Sequence, residues 1–500
     1  MNPIYQSSFN KSQIDQYNNL NLLSNMENGP RHKPFCCDDD SSYYDTDSLG
    51  LALNNFLNFV NNSDSTSFQI NQALAYLNSI LCNLNSQSAD FLNKSIFFEK
   101  IVSILNTIDL SSILYDQIID TIHILSKTEK IIIEQLFTSG IILKIYDIWL
   151  AKDQLDLNLL KIFTNCVKRY PESKLFFSEK KTLSLFLPLL ENDDNIFHIS
   201  NICQFSANFF ASEISTYKKT KVEPENQTNE TEINGNEIMK LEIIDWHIEF
   251  LKRIIYVFGK EYTSDDIEFV PMYRLKIKKY CLKSFNSYCI SPSRQKYFIS
   301  LGLPNLILKD LRTINPTILP IALELILKFL TVLTHCFDDE EKQNLSSFLI
   351  EISFDDISEF IQTKSPRILS FLCQILEILL KIDKSYILYI HKYRITEIIL
   401  EQLNNLSYEV LIKAIHFICI VILNSTKSDA LNFIDESIVD KIVELAETEQ
   451  EEYVRKDLKA TLFRIYEICD SESEVFQMID PLFEIDGIFY GVPKPSFIME

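Results

Sequence analysis

Glycine and proline are scarce in this chain, with 8 and 15 residues among 500. Both supply the turns that β-rich and loop-rich folds need, so their shortage excludes a strand-dominated fold and favours helices. Positive charge is also short. Lys and Arg total 47 against 69 Asp and Glu, a formal net charge of −22, which opposes binding to nucleic-acid phosphates. The surplus acid suits either a well-solvated surface or a basic partner.

Long uncharged apolar runs are missing too. The most apolar segment, ILPIALELILKFLTVL (318–333), carries Glu324 and Lys328 near its middle, each costing about 2.5–3.5 kcal/mol at a bilayer centre. Their four-residue spacing suits an ion pair on a helix surface, so a core helix is expected and no membrane partner. The first residues, MNPIYQSSFNKSQIDQ, lack the charged start and apolar stretch of a signal peptide. Eleven cysteines are scattered, several in apolar helical runs (Cys166, Cys203, Cys373, Cys419), and the one close pair, Cys36 and Cys37, is adjacent. That usage fits free thiols in a reducing compartment.

Motifs of enzyme chemistry are absent. There is no G-x-x-x-x-G-K-[ST], G-x-G-x-x-G or G-x-S-x-G, and GIFYG (487–491) stands alone near the C-terminus. The seven histidines form no H-x-x-x-H pair and no C-x-x-C occurs. THCFDDEE (334–341) comes nearest to a ligand cluster and reads better as a solvated loop after a helix. No catalytic residue, metal or cofactor is expected, and the chain reads as a non-enzyme.

What is abundant is Ile and Leu at helical spacing, and the pattern recurs. SPRILSFLCQILEILLKID (365–383) places Ile368, Leu372, Ile375, Leu376 and Leu379 on one face, with Ser365-Pro366 as a helix start. A short helix, KSYILYIHKY, follows, and then RITEIILEQL (394–403). Segments like the last begin near Ile96, Ile141, Thr182, Glu242, Leu303, Phe354, Arg394 and Ser437; the shorter intervals are 45, 41, 40 and 43 residues. A period of about 42 is that of three-helix repeats. Gly140 and Gly302 mark corners before two of these segments, where a positive φ is cheap for glycine.

The expectation is an all-α, right-handed α-solenoid of about eight units over residues 67–470. Residues 1–66, rich in Asn, Ser and Asp, form a disordered acidic tail. Longer intervals hold a disordered insertion at 215–237 and a loop at 259–271, and a C-terminal tail covers 471–500, either capping the last unit or hanging free.

The order of helices, with SGIILKIYDIW and LGLPNLILKDL each after a short helix, resembles the armadillo repeat. In that family the long third helix of each unit lines a concave groove. Length, polar N-terminal stretch and acidity look most like importin-α, the adaptor for nuclear localisation signals. Its groove helices carry a Trp and, four residues later, an Asn that holds the cargo backbone. The resemblance places Asn78, Asn165, Asn201 and Asn286 at the Asn position, and Leu74, Lys161, Phe197 and Leu282 at the Trp position. Only RHK (31–33) is left of the basic run that grips importin-β.

What the resemblance implies is an adaptor holding a basic peptide or protein in its groove, cytoplasmic and nuclear, with an importin-β-like carrier. The alternative is a cytosolic armadillo scaffold or regulatory subunit without a transport role. The four asparagines equally fit polar helix-end positions in an Asn-rich chain. The basic stretch YRLKIKKYCLK (273–283) reads as a solvated helix or as a dock for an acidic tail such as DDDSSYYDTD (38–47).

Overall fold

A computed structural model describes residues 46–493, apart from 63, 83–85, 152–155, 193–194, 212–244, 261–269, 312–313, 335–352, 449–450, 484–487 and 490–491. The expected insertion at 215–237, tail residues 1–45 and nearly all of THCFDDEE lie outside the described residues. So does most of the expected loop at 259–271.

Among the described residues, nine long helices form one continuous row: α2 (Ser67–Leu81), α5 (Ile113–Leu125), α8 (Leu157–Arg169), α11 (Ile196–Ala211), α13 (Val270–Tyr288), α16 (Leu319–Leu333), α18 (Pro366–Ile382), α21 (Tyr408–Asn424) and α24 (Glu452–Ile468). Each packs against the next. A second row holds α4 (Phe97–Thr107), α7 (Ile141–Ala151), α10 (Thr182–Asn192), α12 (Asp245–Gly259), α15 (Leu303–Asp310), α17 (Phe354–Gln362), α20 (Ile395–Leu400) and α23 (Glu436–Thr448). These eight are the segments that the sequence marks as recurring. Short helices precede six of them: α3 (Ser86–Asn93), α6 (Lys130–Thr138), α9 (Ser173–Glu179), α14 (Pro292–Ser300), α19 (Tyr386–Lys392) and α22 (Lys427–Leu431). The result is an all-α solenoid of three-helix units.

One apolar core runs through the stack from Leu49 to Ile479. The expected face of α18 is inside it, with Ile368, Leu372, Ile375, Leu376 and Leu379 all buried. The repeat is also written in polar contacts between units. Lys130 meets Glu172 at 2.5 Å, Gln402 Nε2 donates to the Ile361 carbonyl at 3.0 Å, and Lys413 Nζ donates to Ser370 Oγ at 3.2 Å. These partners are 42, 41 and 43 residues apart.

The boundaries of the tails differ from expectation. Helix α1 (Thr46–Asn61) belongs to the fold, because Leu49, Ala52, Leu53 and Phe56 are buried on its inner face. It packs on α2, α3 and α4, with Phe56 edge-on to Phe97 at 5.7 Å, and so covers the apolar end of the first unit. At the other end, α25 (Glu474–Ile479) packs on α23 and α24. Tyr466 stacks on Phe476 at 4.5 Å and its hydroxyl donates to Asp480 Oδ1 at 2.6 Å, so this segment caps the last unit. The described strands are two residues each, β1 (Ile488–Phe489) pairing antiparallel with β2 (Val492–Pro493).

Four of the corners before second-row helices share a left-handed backbone. Gly140 and Gly302 have φ of 84° and 73°, and Lys181 and Arg394 take the same turn at 52° before α10 and α20. A Cβ at either glycine would meet nothing within 4 Å, so only backbone strain separates glycine from other residues there. That strain is about 1–2 kcal/mol, offset in part by the chain entropy glycine loses on folding. Gly302→Ala is therefore expected to lower stability by about 0.5–1 kcal/mol, and Arg394→Gly to raise it by about as much. Denaturant unfolding of the two variants checks this; equal shifts of the same sign would remove the shared-corner account.

Candidate functional site

Three of the four ladder asparagines hold partners within the fold, and the fourth is buried. On α2, Asn78 is 8% exposed and its Oδ1 has no hydrogen-bond partner. Asn165 on α8 donates from Nδ2 to Ser126 Oγ, just past α5, at 3.0 Å. On α11, Asn201 donates to its own Phe197 carbonyl at 2.7 Å. Asn286 on α13 accepts the Lys328 ammonium of α16 at both its amide oxygen and its carbonyl. They lie on four helices of the long row, and two of them, Asn165 and Asn286, join one unit to the next. Phe197 is half-buried and packs edge-on to Tyr273 of α13 at 4.4 Å.

The basic stretch on α13 is engaged too. Lys278 pairs with Asp310, and Lys276 lies 5.0 Å from the centre of the Tyr273 ring. The expected surface ion pair Glu324–Lys328 is present at 3.5 Å, with Arg367 of α18 joining Glu324 at 3.6 Å.

The strongest convergence of polar groups lies elsewhere, in the C-terminal half. An open cavity of about 590 Å³ crosses α16, α18, α21 and the start of α24. Leu327, Ile378, Ile412 and Val454 give it an apolar floor; Glu377, Glu409, Glu451, Lys413, His416 and Tyr453 supply polar and charged walls. The cavity opens on the long row.

His416 is the centre of this region. Its side chain is 5% exposed, with Nδ1 at 3.1 Å from Glu377 Oε2 and Nε2 at 3.0 Å from Asp457 Oδ2. A histidine makes both bonds as a donor only when both nitrogens carry protons. Burial alone would depress its pKa, but Glu377 and Asp457 outweigh burial and raise it above the ordinary value. Burial would likewise raise Glu377; its bonds from His416 and from Lys381, the latter at 2.6 Å, pull it below the usual carboxylate range. Glu377, His416 and Asp457 belong to three successive long helices and are separated by 39 and 41 residues. An imidazolium thus clamps three units together.

Two other histidines behave oppositely. Burial, helped by Lys127 and Lys161, pushes His123 down to about 4. Burial, with Arg294 and Lys174 nearby, does the same to His247. Neither carries charge near neutral pH. Among the described residues no group of His, Cys, Asp and Glu could hold a metal ion, and no helix is long and apolar enough to cross a membrane. Cys166, Cys203, Cys373 and Cys419 are buried free thiols, as their positions in apolar runs suggested, and so are Cys281 and Cys289.

No family model matches the chain, and no curated protein does. Among solved structures, an engineered protein from a structural-genomics consortium matches with a TM-score of 0.58 at 12% identity, covering 87% of this chain and 98% of its own. A designed armadillo repeat protein matches at 0.39 and 14% identity, over 55% of this chain and 99% of its own. Another, crystallised in complex with the peptide (KR)4, matches at 0.40 and 14% identity over the same shares, 55% and 99%. At such identities the likeness concerns the fold. Short, medium and long helices repeating at about 42 residues define an armadillo-like α-solenoid.

The clamp carries a pH signature. A histidine with a raised folded-state pKa stabilises the fold fully below its unfolded value, near 6.5, and that contribution is lost as pH rises through the folded value. His123 and His247 act in the opposite sense, their contributions fading as pH falls toward about 4. The difference between the parent and His416→Gln isolates the clamp. It should be largest below about pH 6.5 and shrink steadily at higher pH. Thermal unfolding of both proteins across that range measures it; a difference that grows with pH would show His416 to be neutral in the fold.

Proposed function

We propose that this protein is a non-enzymatic adaptor that holds a partner protein or an extended peptide along its row of long helices. The observation that carries the reading is the cavity across four of those helices, where an apolar floor is bordered by Glu377, Glu409 and Glu451 together with Lys413 and His416. Together with the net charge of −22, the lining favours a basic partner, bound less tightly as salt screens the attraction. A row of parallel helices at a fixed period suits an extended ligand, because equivalent positions recur at each unit.

Two forms of adaptor fit. One is an importin-α-like import receptor, cytoplasmic and nuclear, carried by an importin-β-like partner. The other is a cytosolic scaffold or regulatory subunit without transport. The second is favoured by the asparagines: Asn165, Asn201 and Asn286 direct polar atoms into the fold, and the Trp positions are Leu74, Lys161, Phe197 and Leu282. A ladder that grips a cargo backbone requires those amides to be available.

Proximity labelling in cells, followed by binding of the enriched proteins to the purified chain, tests the adaptor reading. A partner should slow amide hydrogen exchange in α18, α21 and α24 more than in α17, α20 and α23. Protection confined to the second row would overturn a groove site. Direct binding to importin-β would restore the import form over the scaffold.

A further inference from the structure

The His416 imidazolium already occupies the place that a guest cation would take. It is a buried cation held between Glu377 and Asp457, at the wall of a cavity roomy enough for a long side chain. Resting on the adaptor reading above, we propose that this cavity receives a lysine or arginine side chain of the bound partner, and that the guest competes with protonated His416 for the same carboxylates.

The chemistry runs in three steps. While His416 is protonated, both Glu377 and Asp457 are neutralised internally, and Glu409, Glu451 and Lys413 supply the other charges of the cavity. When His416 loses its proton, the neutral ring keeps one N–H and can donate to only one carboxylate. The other carboxylate turns acceptor for a new cation, and the site becomes one charge more negative. A guanidinium or ammonium then gains a charge-assisted hydrogen bond that was previously taken. Tyr453, 60% exposed on α24, offers an aromatic face beside it.

The groups around His416 leave this exchange as the main titration near neutral pH. From α18 come Glu377 and its partner Lys381; from α21 itself, Lys413 and Glu409; from α24, Asp457, Tyr453 and the adjoining Glu451. Helix α16 contributes only Leu327 and Thr331. The buried thiols Cys373 and Cys419 feel Glu377 and Asp457, and burial keeps both thiols protonated. The rise of the His416 pKa above its ordinary value brings the exchange toward neutral pH.

The probe is an octa-arginine peptide, N-terminally labelled with tetramethylrhodamine and C-terminally amidated, titrated with the full chain by fluorescence anisotropy at fixed ionic strength. Its charge does not change across the range. Between about pH 5.5 and pH 8.5 the parent's affinity should rise about tenfold, the effect of one added charge at a half-buried site. His416→Gln should bind with little pH dependence, near the parent's high-pH affinity. Glu409→Gln should weaken binding at every pH while keeping the slope. Asp457→Asn, which removes one of the two acceptors, should move the midpoint to lower pH; it serves as the test if circular dichroism shows His416→Gln to be unfolded. Affinity that is flat with pH, or a slope retained in His416→Gln, overturns the exchange. Binding indifferent to Glu409→Gln and His416→Gln is adsorption to an acidic surface and overturns the site. Either result leaves the adaptor reading to the exchange-protection experiment, which does not depend on this peptide.

Discussion

A triplet of short helices has more apolar surface than it can bury alone. One long helix such as α18 places Ile368, Leu369, Leu372, Ile375, Leu376 and Leu379 inside, and its own unit covers only part of that face. The next unit must cover the rest. Everything else in the molecule follows from that unfinished burial. It sets the single core from end to end, the row of nine long helices and the need for something to close each end. At the N-terminus α1 is that cover; at the C-terminus it is α25 with the Tyr466–Phe476 stack.

Stacking also explains where the polar chemistry goes. Side chains that leave the apolar seam lie one repeat from their counterparts, so a hydrogen bond between units joins residues about 42 apart. Lys413 to Ser370 and Gln402 to the Ile361 carbonyl are examples, and the His416 clamp is the same geometry with charge added. Burying an imidazolium is costly unless both nitrogens find partners. The repeat supplies two, one from each neighbour, because equivalent positions bear Glu377 on one side and Asp457 on the other.

The repeat itself was legible because it depends on apolar spacing, which survives in sequence whatever the identities. The eight second-row helices begin where the recurring segments begin, and Gly140 and Gly302 are left-handed corners as their placement implied. What escaped notice was decided by context. In TDSLGLALNNFLNFVN the apolar residues stand at helical spacing, but an Asn-, Ser- and Asp-rich background hid the face that α2 covers. Lys181 and Arg394 carry the same corner as the glycines, and no residue preference reveals a positive φ at a lysine. The asparagine register was visible, whereas the use of those amides depends on Ser126 and Lys328, which only the stack brings near. His416 has no H-x-x-x-H partner to mark it in the sequence. The period that exposed the fold would also have paired it, since Glu377 and Asp457 stand one repeat to either side.

The same logic separates the two halves of the groove row. In the N-terminal half the seam is aromatic: Tyr146, Trp149, Phe163, Phe177, Phe186 and Phe205 form one edge-to-face cluster, which fills the space between units with rigid rings. Around the cavity the seam is aliphatic, and charged side chains stand at its border with solvent. Leu327, Ile378, Ile412 and Val454 leave a shallow floor open between their helices. A carboxylate over such a floor is less hydrated than one in open water, so it attracts a cation more strongly. Acidity spread over the whole chain adds a longer-range attraction for cations to the one this cavity supplies at short range.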